Sequence, residues 1–268
     1  MSKLFRESFE TLDVELLDAG IGLVRLNRPK SANALNTRMS LDLMTLFEGL
    51  QIDREAPRCL IVTGAGEGAF CAGGDLVERR TMSDEEWQAQ HVIFERMLRA
   101  LLGCPVPMIA AVNGAAFGGG CEIAAACDFV YAARTARFAL TEVTLGIMPG
   151  AGGTQTLARA IGTRRAMELI LTGQAFSAEE AERWGFVNEV LEQEVLLDAA
   201  LATARRIAGN APIAVRQAKQ AIRRGIDMSL ADGIAFEIEA YNRMVPTEDR
   251  REGVSAFNEK RKPRFTGR

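Results

Sequence analysis

The chain has 268 residues, 48% apolar and 25% charged, which is enough for a globular protein with a sizeable core. Thirty-two Lys and Arg against 35 Asp and Glu leave a net charge of −3, so no general attraction to nucleic acid or anionic membrane is expected. The single histidine, His91, excludes HExxH chemistry, a credible zinc site and nearly all scope for a Ser-His-Asp triad.

The first ten residues are polar and mixed in charge, unlike a signal peptide. Val14–Leu17 and Ile21–Leu26 read as a hairpin around Ala19 and Gly20. Leu35, Met39, Leu43, Leu46, Phe47 and Leu50 recur at helical spacing and predict a helix over Thr37–Arg54. Cys59–Thr63, Met108–Val112 and Phe129–Ala132 are short apolar strands. The first two run into similar small-residue segments, Ala69–Asp75 and Ala115–Cys121, in which Gly74 and Gly120 lie 46 positions apart. That weak repeat suggests stacked turns of a β-rich spiral. The uncharged stretch Pro105–Cys121 holds Asn113 and several glycines and then meets Glu122, which argues against a membrane span. The five cysteines include no CxxC pair, so reduced, buried thiols and a cytoplasmic location are expected.

From Gly153 onward the pattern is mostly helical. Ser177 and Glu180 form a capping box that opens a short helix ending at Gly185. Leu230, Ile234, Ile238, Tyr241 and Val245 mark a long amphipathic helix. No low-complexity linker divides the chain. Residues 1–195 are read as the spiral core and 196–268 as a helical region that packs on it or joins subunits. The tail Glu259–Arg268 carries five basic residues and one acid, so the charge is asymmetric.

Three glycine-rich segments are candidate ligand sites. Gly64-Ala-Gly-Glu-Gly-Ala69 matches a dinucleotide fingerprint, but Phe70-Cys-Ala-Gly-Gly74 follows at once and would break the required helix. A turn between two strands is expected there, and no NAD. Phe117-Gly-Gly-Gly-Cys-Glu122 places free backbone N–H groups at a helix start. Glu122 lies in GCEIAAAC, a helix apolar on every side. A carboxylate buried there costs several kcal/mol unless it is paired or used, which makes it a site candidate. Pro149-Gly-Ala-Gly-Gly-Thr154 follows Glu142 closely; taken alone, neither distinguishes a site from a helix-start turn.

Taken together, NRPKSANAL at Asn27–Leu35, AFCAGGDL at Ala69–Leu76, PVPMIAAVNGAAFGGGCEIAAACD at Pro105–Asp128, FALTEVTLGIMPGAGGTQTL at Phe138–Leu157 and the closing EGVSAFNEKRKPRF resemble, in order, the motifs of the crotonase family. The resemblance spans nearly the whole chain and is closest to enoyl-CoA hydratases. Cys71–Arg80 and the C-terminal third look like methylglutaconyl-CoA hydratases, some of which also bind AU-rich RNA. The implied fold is α/β, a β-β-α spiral core with a C-terminal helical trimerisation region. The implied assembly is a trimer or a dimer of trimers.

The resemblance also implies roles. The amides of Gly74 and Gly119 would form an oxyanion hole for a thioester oxygen. Glu122 would act as base toward a water and Glu142 as the acid that protonates the α-carbon. Lys30, Ala34, Ala72, Asp75, Leu76 and Gly150 would bind the acyl-CoA, and Phe257 and Lys260 would reach its nucleotide end from a neighbouring subunit. Many relatives carry Lys where this chain has Val77, a charged contact to CoA phosphate that would then be missing. No metal or redox cofactor is implied; coenzyme A is part of the substrate. Having both glutamates favours hydration over double-bond isomerisation, which usually manages with one acid. RNA binding is disfavoured, because Thr37–Arg54 offers only Arg38 and Arg54 as bases against Asp42, Glu48 and Asp53. The segment Leu76–Leu102, with Met82, Trp87 and His91, is expected near the acyl tail on fold analogy alone.

Overall fold

The computed structural model describes residues 2–268. The chain opens with an antiparallel hairpin, β1 (Leu12–Leu17) and β2 (Ile21–Leu26), closed by a tight turn in which Ala19 takes φ 61°. Helix α1 (Thr37–Ile52) follows, its first turn capped by Asn36, whose side chain accepts from Met39 N. It buries Met39, Leu43, Leu46, Phe47 and Leu50, the apolar face read from the sequence, and ends two residues before the expected Arg54. Buried Asp42 in that face is satisfied by Thr11 N at 3.0 Å and Thr11 Oγ1 at 2.7 Å, which ties α1 to the chain entering β1.

Strands β3 (Cys59–Gly64) and β4 (Ala69–Cys71) form one turn of the spiral, continued by α2 (Leu76–Arg79) and α3 (Asp84–Leu102). Strands β5 (Met108–Val112) and β6 (Ala115–Phe117), then α4 (Gly119–Ala126), form the next; β7 (Phe129–Ala133) and β8 (Arg137–Ala139) form the third. Helices α5 (Gly153–Ile161) and α6 (Thr163–Thr172) lead to β9 (Phe176–Ser177), α7 (Ala178–Arg183), β10 (Glu189–Leu191) and α8 (Gln193–Ala208). Three helices close the chain: α9 (Pro212–Gly225), α10 (Leu230–Asn242) and α11 (Glu248–Asn258).

Successive turns stack as two sheets. One has the order β1-β2-β3-β5-β7-β10 and the other β4-β6-β8-β9. From β2 to β10 the first sheet is parallel, and β3 and β5 are buried along their whole length. Such strands read as continuous apolar runs rather than alternating ones. In the second sheet Ala69 pairs with Ala115, 46 positions on, so the repeat seen in the sequence is the physical pitch of the first two turns. The Gly64–Ala69 segment is the turn from β3 to β4, as read, and opens no helix.

Three features differ from the sequence reading. The largely helical second half also contributes an edge strand to each sheet, β9 and β10, both too short to show a period. Residue 196 falls inside α8, whose Leu196, Ala200, Ala204 and Ala208 are buried where it packs against β3, β5 and β7. And α10 ends at Asn242, leaving Val245 beyond it. Helix α9 is anchored to the spiral through Asp128, which pairs with Lys219 Nζ at 2.7 Å and Arg223 Nε at 3.0 Å and accepts from Met108 N at 2.7 Å. Among the described residues, no helix is long and apolar enough to cross a membrane.

The spiral is tightest where α4 meets β4. A Cβ on Gly120 would stand 2.1 Å from the Cys71 carbonyl oxygen and 2.8 Å from Cys71 Cβ, so backbone must shift to admit it. Gly120→Ala is expected to destabilise the fold by about 3 kcal/mol in urea unfolding, on the scale of overpacked cores. Gly68→Ala, where an added Cβ meets nothing within 4 Å, serves as the control. A loss below about 1 kcal/mol for Gly120→Ala would show that α4 can move away from β4.

Candidate active site

Two strand-to-helix turns, one from each of the first two spiral turns, meet at the mouth of a cleft. The first is Gly73-Gly74-Asp75 between β4 and α2. The second is Gly118, between β6 and α4, at φ 49° and ψ −123°, a conformation open only to glycine. Gly73, at φ 90°, is pressed so close that a Cβ on it would lie 2.8 Å from Phe117 O and 3.3 Å from Gly119 N.

This crowding leaves two N–H groups side by side. Leu35 bridges to the first turn by donating N–H to Gly73 O at 2.7 Å and accepting from Asp75 N at 2.9 Å, a pattern that bypasses the N–H of Gly74. Gly119 is the first residue of α4, where a helix offers its N–H no internal acceptor. Asp75 holds the first turn in shape: its Oδ1 caps α2 by accepting from Val77 N and Glu78 N, and its Oδ2 pairs with Arg28 at 2.9 Å. Arg28 also donates to Ala34 O at 2.5 Å, which fastens the Asn27–Leu35 segment to the same turn.

Glu122 lies one helical turn into α4 and is only 3% exposed. Its Oε1 accepts from Ala151 N at 2.9 Å and Gly153 N at 2.8 Å, amides of the loop that leads into α5. Burial pushes its carboxyl up to about 7; the charge of Glu142 adds to this, while the two amides act the other way. Glu142 opens a 3₁₀ turn at Glu142–Leu145, and burial raises its carboxyl as well. Its Oε2 is buried with no hydrogen-bond partner among the described residues. The two carboxyls converge on one stretch of backbone. A Cβ on Gly118 would lie 3.1 Å from Glu142 Oε1, and one on Gly119 would lie 4.0 Å from Glu122 Oε2.

The cleft has a volume of about 620 Å³. Glu122, Glu142, Gly74 and Gly119 all line it, as do Ala72, Leu76 and Gly150. Lys30, Ala34 and Asp75 do not. Lys30 is exposed in the Pro29–Ser31 turn, Ala34 is buried, and the Asp75 carboxylate is committed to its cap and to Arg28. Phe257, 84% exposed, and Lys260, at φ 56°, lie at the end of α11 outside the lining of the cleft. Val77 is exposed beside Leu76.

Helix α3, which starts with a Ser83–Glu86 capping box, forms one wall with Trp87, His91 and Phe94; Met82 does not reach it. His91 packs against the loop that holds Glu122: a Cβ on Gly150 would stand 2.5 Å from its Cε1. Thr141, Ile147 and Met148 also line the cleft and were not anticipated, and Arg79 lines it from the Leu76–Leu102 segment without having been singled out. Nothing in the sequence separates Arg79 from its exposed neighbour Arg80, because what distinguishes them is which way the last turn of α2 faces.

A cleft lined by two glycine turns, the buried Glu122 and the half-buried Glu142 has counterparts among known proteins. The family profile described as enoyl-CoA hydratase/isomerase matches residues 17–268. A short-chain-enoyl-CoA hydratase of Clostridium acetobutylicum is 43% identical over 242 residues, 90% of this chain and 92% of that protein. The mitochondrial enoyl-CoA hydratase domain-containing protein 2 of Homo sapiens is 43% identical over 259 residues, 94% of this chain and 87% of that one. Among solved structures, the enoyl-CoA hydratase of Bacillus anthracis superposes with a TM-score of 0.94 at 42% identity, covering 97% of this chain and all of that one (100%). On the match over residues 17–268 and these full-length likenesses, the chain belongs to the enoyl-CoA hydratase/isomerase family.

Proposed function

We propose that the protein adds water across the 2,3-double bond of an enoyl-CoA thioester, and that Glu122 and Glu142 carry the proton transfers. The observation that carries this reading is the convergence of two carboxyls, Glu122 buried and Glu142 half-buried, both with raised pKa, on the Gly118–Gly119 backbone. The N–H groups of Gly74 and Gly119 donate to the thioester oxygen. Glu122 has one oxygen committed to Ala151 and Gly153, so its Oε2 is the one that faces a water. A carboxyl near 7 is ionised in a useful fraction at neutral pH and takes a proton from that water as its oxygen attacks C3. The electron pair of the double bond moves toward the thioester oxygen, and the two amides stabilise that charge, each by a few kcal/mol on the usual scale. Glu142 then delivers its proton to C2. Two close carboxyls resist double ionisation, which keeps one protonated for this step. The product is a 3-hydroxyacyl-CoA; Glu122 has gained the proton that Glu142 lost, and exchange with solvent resets the pair.

This chemistry uses only carboxyls and backbone amides, so no metal or redox cofactor is called on. Names of the relatives support an acyl-CoA substrate, as in fatty-acid or branched-chain amino-acid breakdown. The five buried free thiols suit a cytoplasmic setting. Leu230, Ile234, Ile238 and Tyr241 form an exposed apolar face on α10, with Leu230 81% exposed, which supports self-association as a trimer or a dimer of trimers. Light scattering should give a mass three or six times 29.1 kDa at micromolar concentration. A monomer there would remove this assembly, and with it the route by which Phe257 and Lys260 of one subunit could serve another's cleft.

Glu122→Gln and Glu142→Gln should each lower hydration of crotonyl-CoA by at least about 10²-fold, and the double variant by much less than the product of the two. If one single variant keeps parental hydration while the protein converts 3-enoyl-CoA faster than it hydrates 2-enoyl-CoA, the enzyme is a double-bond isomerase.

Glu122 should also leave a pH signature on stability. Its folded pKa stands above its unfolded value, so the folded state binds the extra proton. Stability is then greatest below the unfolded pKa and declines as pH rises through about 7. Between pH 5 and 8 this amounts to about 3 kcal/mol. Glu122→Gln removes the titrating group, so its melting temperature relative to the parent should climb by roughly 5–10 °C over that range. A difference that stays flat with pH would mean Glu122 titrates as an ordinary surface carboxylate.

A further inference from the structure

Two charged side chains lining the cleft have no part in the chemistry above, and one of them, Glu95, is engaged with His91 and Arg99. Arg79, the last residue of α2, lines the cleft, with its guanidinium 4.4 Å from the ring centre of Trp87 and 4.9 Å from that of Phe94. Its Nε donates to Gln90 Oε1 at 2.8 Å. Gln90 is 3% exposed, and its amide donates to Thr37 Oγ1 and to Glu78 Oε2, both at 2.8 Å. Glu78 Oε2 in turn accepts from Thr37 N at 2.9 Å. Two aromatic faces and a fully engaged buried amide therefore fix the guanidinium in one orientation.

What this arrangement lacks is a direct ion pair, since the Glu78 carboxylate is reached only through Gln90. Arg79 forms no ion pair among the described residues, and Nε is its only hydrogen-bonding nitrogen there. Burial lowers its pKa from the ordinary arginine value, and Glu78 opposes that only in part. A half-buried cation without a direct ionic partner is unfavourable, and a network that holds one in place inside a cleft points to a ligand that supplies that partner. The location narrows the choice. A Cβ on Gly74 would lie 3.2 Å from Arg79 Nη1 and 3.3 Å from Cζ, so the charge stands beside the backbone turn assigned to the thioester oxygen.

We propose that Arg79 binds negative charge on the acyl part of the substrate through its two Nη groups, an inference that rests on reading the cleft as an enoyl-thioester site. Two sources share this chemistry. One is the enolate oxygen, which gains charge as the water oxygen adds to C3; the guanidinium would then reinforce the amides of Gly74 and Gly119. The other is a carboxylate carried by the acyl chain itself. Arg79 exchanges no proton in either case, since a guanidinium stays charged.

Arg79→Met and Arg79→Lys separate the sources. The substrates are crotonyl-CoA, whose acyl group is neutral, and its analogue bearing a carboxylate on C4. A third readout is the ultraviolet absorbance of acetoacetyl-CoA, which reports how much of it binds as the enolate. With the enolate as the source, Arg79→Met lowers kcat on both substrates by about tenfold or more at little changed KM, reduces the bound enolate, and is partly rescued by Arg79→Lys. With a carboxylate as the source, kcat/KM falls at least about tenfold for the carboxylated analogue through KM, and crotonyl-CoA is unaffected. Unchanged kinetics on both substrates together with unchanged enolate binding would overturn the proposal and leave Arg79 as a packing residue of the wall. Should Arg79→Met fail to fold, Arg79→Gln, which keeps a donor for Gln90 without the charge, carries the same comparison. A parent enzyme that hydrated neither substrate would refute the hydratase reading instead, and the acetoacetyl-CoA titration would still decide the role of Arg79.

Discussion

Glu122 can be buried only because backbone closes around it from two directions. Helix α4 starts hard against β4, with no room for a side chain at Gly120, and this fixes the depth at which Glu122 enters the core. The loop ahead of α5 then folds over it and donates Ala151 N and Gly153 N to a single carboxylate oxygen. Gly153 must be glycine for this approach, since a Cβ there would stand 2.9 Å from Glu122 Oε1. The two amides favour the charged form and burial disfavours it more strongly, so the group titrates near 7. The second oxygen and the facing carboxyl of Glu142 are left to the cleft. Exposure to water would return Glu122 toward ordinary solution behaviour, whereas loss of the two amides alone would raise its pKa further.

The stacked strands bring the remaining groups to that point. Parallel pairing of β4 with β6 sets the Gly73–Asp75 and Gly118–Gly119 turns side by side at the same end of the sheet. Buried asparagines hold the preceding turn in place. Asn113 donates to Gly64 O and Gly66 O, and Asn33 donates to Ala65 O and Ala69 O, which satisfies backbone that a buried turn would otherwise strand. Arg28 and Asp75 extend the same brace to the Asn27–Leu35 segment. The glycine-rich turn after β3 thus has its carbonyls committed to side chains of the fold, which is a structural use of the pattern that a dinucleotide site shares.

Helix α3 connects the Arg79 side of the cleft to the loop that holds Glu122. Trp87 and Phe94 sandwich Arg79, while His91 and Leu98 press on Gly150 and Gly152, next to the amides that hold Glu122. A Cβ on Gly152 would lie 2.8 Å from Leu98 Cδ2, so this contact also leaves no room for a side chain. The sole histidine packs against this loop.

Much of this was legible in the chain itself. Helical spacing from Leu35 to Leu50 located α1, unbroken apolar runs located β3, β5 and β7, and the Ser177–Glu180 capping box located α7, because these signals are local and the core enforces them. A carboxylate in an all-apolar helix marked Glu122, since burial of charge is legible wherever no polar face exists to receive it. The short edge strands β9 and β10, the membership of α8 in the core and the end of α10 before Val245 were not legible, because two or three residues have no period and packing partners lie far away in sequence. The site divides in the same way. Motifs named Gly74, Gly119, Glu122 and Glu142, but tertiary structure alone decided that Glu142 faces Glu122, that Ala151 and Gly153 grip it, and that Arg79 rather than Arg80 enters the cleft. A sequence specifies which groups are available and what local structure carries them; which of them meet, and how far burial shifts their charge, depends on distances set only when the turns of the spiral close on one another.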